Sequence, residues 1–163
     1  MINYIEKGLG LHKELEKDGI YVWHVNGVAY SNNDTEAQII IDAYDPLPIQ
    51  KTEKKAELVR DSEDLLNQAI LNQYPRFEID TWQNQKADSE AYIADNNAVT
   101  VTLDALSSQR GKSKSSTANK ILEKAGQFAA FSAMYAGERQ RLEDLVDAAL
   151  TVEEVQTVKF KAL

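Results

Sequence analysis

The spacing of hydrophobic residues changes along this chain, and each change predicts a different kind of element. Leu9, Leu11 and Leu15 among charges predict a short helix from about Leu9 to Lys17, stopped by Asp18-Gly19. Ile5 stands before it, and Gly8 and Gly10 weaken the helix at its start because glycine loses the most backbone freedom there. Ile20-Tyr-Val-Trp-His-Val25, Asn26-Gly27 and Val28-Ala-Tyr30 then predict a β-hairpin, since Asn-Gly supplies the two positive φ angles of a type I′ turn. Alternation puts Tyr21, Trp23 and Val25 on one face of that hairpin and Val22 and His24 on the other.

Helical spacing returns after Asn33-Asp34-Thr35-Glu36, an N-cap sequence followed by Ala37, Ile40, Ile41 and Tyr44 up to Asp45-Pro46. An isolated hairpin is marginal in water, so this helix is expected to cover one of its faces. Pro46-Leu-Pro48 stiffens the exit and marks the expected module boundary. A third helix is predicted over about 51–73, with Ala56, Val59, Glu63, Leu66, Ile70 and Tyr74 along one stripe and Pro75 at its end. A fourth, about 77–94, carries Phe77, Ile79, Trp82, Ala87, Ala91, Tyr92 and Ile93, and Asp95-Asn96-Asn97 closes it.

Val99-Thr-Val-Thr102 alternates like a strand, but Thr102-Leu-Asp-Ala-Leu106 reads as a capped helical turn ending before Gly111, and a short helix is the expectation. The last long helix, about 116–150, repeats Ile121, Phe128, Tyr135, Leu142 and Ala149 every seven residues. Ala125, Ser132, Arg139 and Val146 form a second row too polar and too small for a strong zipper, so a bundle helix is expected in place of a coiled coil. Thr151-Val-Glu-Glu154 is a capping-box sequence, which predicts a terminal turn over about 152–158.

Composition narrows what these elements can do. A chain of 163 residues can bury a core without staples. It has no cysteine, which removes disulfides and thiolate metal sites, and its two histidines argue against a His-rich zinc centre. The net charge of −8 repels a nucleic-acid backbone, and the basic run Arg110-Gly-Lys-Ser-Lys114 reads as a solvated turn. No run is long and apolar enough for a membrane span, and the start lacks the order of a signal peptide, so a soluble protein made in the cytosol is expected.

No arrangement of residues calls for catalysis or a cofactor. Gly111-Lys-Ser113 is the tail of a phosphate-binding loop, but the loop needs a glycine five positions earlier, where Leu106 stands. Asp42 and Asp45 are spaced as helical neighbours, yet Asp45 before Pro46 suits a cap or a turn. Glu53, Glu57, Asp61 and Asp64 interleave with Lys54, Lys55 and Arg60 as a solvated helix face. Neither His12 nor His24 has a nucleophile or orienting partner beside it. No catalytic, cofactor-binding or metal residue is assigned.

Aromatic residues carry the functional expectation. A two-stranded sheet covered by one helix buries a single face, so Tyr21, Val22, Trp23, Val28 and Tyr30 form the candidate partner surface. Two stretches, Asn3-Tyr-Ile-Glu-Lys-Gly-Leu-Gly-Leu-His-Lys-Glu-Leu15 and Gln38-Ile-Ile-Ile-Asp-Ala-Tyr-Asp-Pro-Leu-Pro48, resemble a small domain of tailed-phage and prophage tail proteins. The second half, from Thr81-Trp-Gln to Gly137-Glu-Arg-Gln-Arg-Leu-Glu-Asp144, resembles a helical domain of tail-fibre accessory and assembly proteins.

The expected architecture is mainly α: a small N-terminal α+β module over 1–47, a helical domain over 52–150 and a tail over 151–163. The resemblance implies a tail-fibre assembly chaperone or accessory protein that binds a phage tail or tail-fibre protein, with no nucleic acid, membrane or cofactor. It would work in the host cytoplasm during assembly, and a homo-oligomer is compatible with it. The alternative it leaves open is a structural component of the virion tail or tail fibre. A hydrolase acting on cell-surface sugar is a third and more distant reading.

Overall fold

In the computed structural model, which describes residues 1–3 and 9–161, helix α1 spans Leu9–Lys17. The expectations placed on Ile5 and Gly8 lie outside the described residues. Gly19 takes φ +67°, and its N–H donates to the Glu16 carbonyl while Ile20 N–H donates to the Leu15 carbonyl, both at 3.0 Å. These two bonds satisfy the last carbonyls of α1 and bring Ile20 back against Leu15 in one buried cluster.

Strands β1 (Val22–Val25) and β2 (Val28–Ser31) pair antiparallel through a two-residue turn in which Asn26 has φ +50° and Gly27 φ +78°. Those angles define the expected type I′ geometry, whose twist matches that of the strands. Ile2 adds an isolated bridge to Ala29, its N–H donating to the Ala29 carbonyl at 3.1 Å. Asn32 ties the hairpin to the end of α1: its side chain accepts the Tyr21 N–H at 2.8 Å and donates to the Gly19 carbonyl at 2.9 Å.

Helix α2 (Asp34–Ala43) begins at the N-cap Asn33, whose side-chain oxygen accepts the Glu36 N–H and whose amide donates back to the Glu36 carboxylate at 2.7 Å. Ala37 and Ile41 of α2 are buried with Ile2, Leu11, Leu15, Ile20 and Ala29, and Val22, Ile40 and Tyr44 pack around them. Complete burial of each large aliphatic residue here contributes about 1.5–3 kcal/mol relative to leaving it in water.

Helix α3 (Leu47–Ala69) starts earlier than the expected 51, because Pro46-Leu-Pro48 opens the helix and is not a linker. Pro48 is tolerated in a first turn, where no intrahelical N–H is needed. Asp45 accepts the Leu47 N–H at 2.9 Å and Pro46 supplies the carbonyl for Gln50 N–H at 3.0 Å. The expected stripe holds in its second half, where Leu66, Ile70 and Tyr74 are half-buried, but not in its first: Ala56, Val59 and Glu63 are exposed, and Leu58, off the stripe, is fully buried with Leu142, Val146, Ala149, Val155 and Val158. Lysines occupy part of the covered side because their stems lie along apolar surface while their heads find oxygens. Lys51 donates to the Asp147 carbonyl at 2.9 Å, and Lys55 pairs with the Asp147 carboxylate at 2.6 Å.

The single helix expected over 77–94 is broken. A 3₁₀ turn (Leu71–Gln73) and Pro75 precede the short α4 (Arg76–Ile79), and α5 runs Trp82–Ala94. At the break the Thr81 hydroxyl donates to the Glu78 carbonyl and accepts from the Gln85 side chain, both at 2.7 Å. Of the apolar residues carried over 77–94, Phe77, Ala87 and Ile93 are exposed and Ile79, Trp82, Ala91 and Tyr92 half-buried; the buried residue of α5 is Ser89, whose hydroxyl donates to the Gln85 carbonyl at 2.7 Å.

Helix α6 (Val101–Gln109) confirms the helical reading over the strand. Gly111 (φ +59°) ends it with the same pair of bonds as α1, Gly111 N–H to the Ser108 carbonyl and Lys112 N–H to the Ser107 carbonyl. Helix α7 spans Lys114–Ala148, and both sequence rows, including Ser132 and Arg139, face inward or are half-buried. Helix α8 (Val152–Thr157) is closed by the capping box: Thr151 accepts the Glu154 N–H at 3.1 Å and the Glu154 carboxylate accepts the Leu150 N–H at 2.6 Å.

The chain is 72% helical, with the hairpin near its N-terminus and the long helix α7 toward its C-terminus, so the mainly α fold with an α+β start holds. It groups into two compact units, one made of residues 1–58 with 142–161 and the other of 59–141. These divisions do not coincide with the expected boundaries at 47, 52 and 150. The C-terminal residues belong to the first unit because Val155, Val158 and Phe160 pack with Leu47 and Leu58. In the second unit Trp82 makes edge-to-face contacts with Tyr74 at 5.1 Å and Phe128 at 5.5 Å between ring centroids.

Candidate interaction surface

The hairpin register decides which side chains share a face. Trp23 pairs with Tyr30 and Val25 with Val28, while Val22 pairs with Ser31 and His24 with Ala29. Directly opposed residues point to the same side of a sheet, so Trp23, Tyr30, Val25 and Val28 stand together, with Tyr21 in step with them. The other side carries the buried Ala29 and the core-packed Val22.

Of the five residues expected to form the partner surface, Tyr21, Trp23, Val28 and Tyr30 lie on the outer face. Val22 does not: it packs against the core cluster beneath the hairpin, and its place in the surface is taken by Val25. The alternation already grouped Val25 with Tyr21 and Trp23. Tyr21 is 64% exposed, Val25 50% and Trp23 46%, with Val28 and Tyr30 half-buried. An aromatic and β-branched cross-strand pair left this open is a contiguous apolar patch on an otherwise charged chain.

The patch sits on a braced support. Asp34 links the end of β2 to the start of α2, accepting both the N–H and the hydroxyl of Ser31 at 2.9 Å, and it also pairs with the Met1 ammonium. That ammonium, followed by the two Ser31 donors, holds the Asp34 carboxyl below its ordinary range. Asp34 stands in the first turn of α2, where a negative charge also suits the helix dipole.

The residues weighed for chemistry take structural positions. Asp42 accepts from Gln38 at 2.8 Å and Asp45 caps α3, each in its own hydrogen bond. Gly111 and Lys112 form the C-terminal turn of α6, and Leu106 is half-buried within that helix. His12 on α1 and His24 on β1 are exposed. Among the described residues no group of three or more His, Cys, Asp or Glu could hold a metal ion, and no helix is long and apolar enough to cross a membrane. In comparison with known protein families, curated proteins and solved structures, this chain matches none.

Proposed function

We propose that this chain is a non-enzymatic protein-binding factor of a phage tail, acting in the assembly of the tail fibre in the host cytoplasm. The observation that carries the binding role is the outer hairpin face, where Tyr21, Trp23 and Val25 stand open above a well-filled core. Rigid aromatic anchors of this type contribute large contact area at low entropic cost. The tail context rests on the resemblance of residues 3–15, 38–48 and 81–144 to tail proteins. In this role the chain contributes binding alone.

Co-expression with the tail-fibre gene product tests it. The wild-type chain is expected to raise the yield of soluble fibre or to co-purify with it. Trp23→Glu should weaken that complex by about 2 kcal/mol or more, as for a central interface anchor, with the circular dichroism spectrum unchanged. A variant that supports fibre solubility as well as the wild type would remove the hairpin from the docking surface. Stoichiometric presence in purified virions by mass spectrometry would instead make the chain a part of the tail.

A further inference from the structure

The second compact unit holds an open groove of about 1100 Å³ whose lining residues all fall between Ala69 and Ser132. Its floor is built from the linked rings of Tyr74, Trp82 and Phe128, extended by Leu106, Ile121 and Phe131. Phe77 of α4 borders it and is 75% exposed. A large ring left open beside a concave apolar surface marks a contact site.

The rim has the opposite sign to the protein as a whole. Lys86, Arg110, Lys120 and Lys124 line the groove against one acidic residue, Glu78, although the chain carries a net charge of −8. Lys124 lies over the Tyr74 ring at 5.5 Å, which keeps its charge at the groove wall. Arg110 and Lys120 also border an adjoining cavity of about 170 Å³ together with Lys112. Among the described residues no ion pair engages these three cations, whereas Lys114 beside them is bound to Asp104 at 2.6 Å.

We propose that this groove docks an acidic amphipathic helix of a partner protein. Apolar side chains at i, i+3 or i+4, and i+7 would meet the aromatic floor, and flanking Asp or Glu would meet Arg110, Lys120 and Lys124. Such a partner fits both the apolar floor and the basic rim, whereas a nucleic-acid strand would face an acidic protein around a largely apolar floor. The groove is lined by residues of the second unit alone, and its occupancy does not depend on the role proposed for the hairpin face.

Fluorescence anisotropy with the full chain and a labelled synthetic helix of about 18 residues, Leu and Phe on one stripe and Glu elsewhere, tests the proposal. Saturable micromolar binding is expected, weakening about tenfold between about 50 and about 500 mM salt. A Lys-for-Glu peptide and a shuffled acidic peptide should bind at least about tenfold more weakly. Phe77→Ser and the double variant Arg110→Glu/Lys120→Glu should each reduce affinity about tenfold with an unchanged thermal midpoint, because Phe77 is exposed and the two cations are unpaired. Trp23→Glu should leave peptide affinity unchanged, and its loss there would transfer the site to the hairpin. The proposal is overturned by no binding, by equal binding of the Lys or shuffled peptide, or by full affinity in the groove variants. Self-association lost in Phe77→Ser, or displacement of the peptide by a single-stranded oligonucleotide, would also overturn it by giving the groove to a different occupant.

Discussion

Trp23 stands directly across the hairpin from Tyr30, and the two positive φ angles at Asn26 and Gly27 hold them in that register. A Cβ at Gly27 would meet nothing within 4 Å, so substitution there tests backbone strain alone. Gly27→Val forces a β-branched residue to φ near +78° and should destabilise the hairpin and its core cluster by about 1–3 kcal/mol. Hydrogen exchange should show faster opening of β1, β2 and α2, with the amides of residues 59–141 unaffected. Uniform acceleration along the chain would show that the hairpin is not a separable unit of stability.

Gly10 follows a different rule. It lies inside α1 and was expected to weaken the helix, yet an added Cβ would overlap the Tyr44 hydroxyl and Ile49 Cδ1. Close packing, not conformational freedom, is what its small size serves. Gly10→Ala should therefore destabilise by about 1 kcal/mol, the overpacking cost of about 1–3 kcal/mol exceeding the gain of up to about 1 kcal/mol in helix propensity. Tyr44→Phe removes the first overlapped atom, so in the double variant the two costs should be less than additive in urea denaturation. Simple additivity would deny the contact.

The turns of this fold were legible in the sequence and the contacts between distant helices were not. Asp18-Gly19, Asn26-Gly27, Gly111 and Thr151 to Glu154 act through their own backbone angles and near neighbours, so the local order of residues located them. The covered side of α3 is set by Leu142 and Val146, more than eighty positions after Leu58, and by lysine stems that a hydrophobic count treats as polar. The break between α4 and α5 falls at Asp80 and Thr81, inside a run whose apolar residues keep helical spacing, so a periodicity of apolar residues does not register it. On the hairpin, alternation showed which residues share a face; only the packing of Val22 against the cluster containing Ala37 and Ile41 showed which face is buried.

Asp34 makes the hairpin support sensitive to pH. Its carboxyl is held below the ordinary range, so its charged form stabilises the fold above the unfolded carboxylate pKa of about 3.9, and that contribution is lost as pH falls through the lower folded value. Urea midpoints of the wild type and Asp34→Asn should differ at neutral pH and converge in strong acid. A gap that stays constant from pH about 7 to about 2 would mean the charge of Asp34 contributes nothing.

Asp88 closes the N-terminus of α6 from outside that helix, accepting the Thr102 N–H at 2.7 Å and the Leu103 N–H at 3.2 Å. The N-cap Thr100 makes no side-chain capping bond of its own, so Asp88 satisfies donors that the helix cannot satisfy internally and adds a negative charge at its positive end. Asp88 is partly buried on α5, which limits the access of water to those amides once the carboxylate is gone. Asp88→Ala should cost about 1–2 kcal/mol, in line with loss of an N-cap, and Asp88→Asn should cost less because it keeps an acceptor. Asp95→Ala is the control: Asp95 accepts the Asn97 N–H at 2.9 Å in an exposed turn and should cost about 0.5 kcal/mol or less. Hydrogen exchange at Thr102 and Leu103 should rise in Asp88→Ala ahead of the rest of α6. If those amides stay as protected as in the wild type, the junction of α5 and α6 is held by the burial of Leu103 and not by the Asp88 cap.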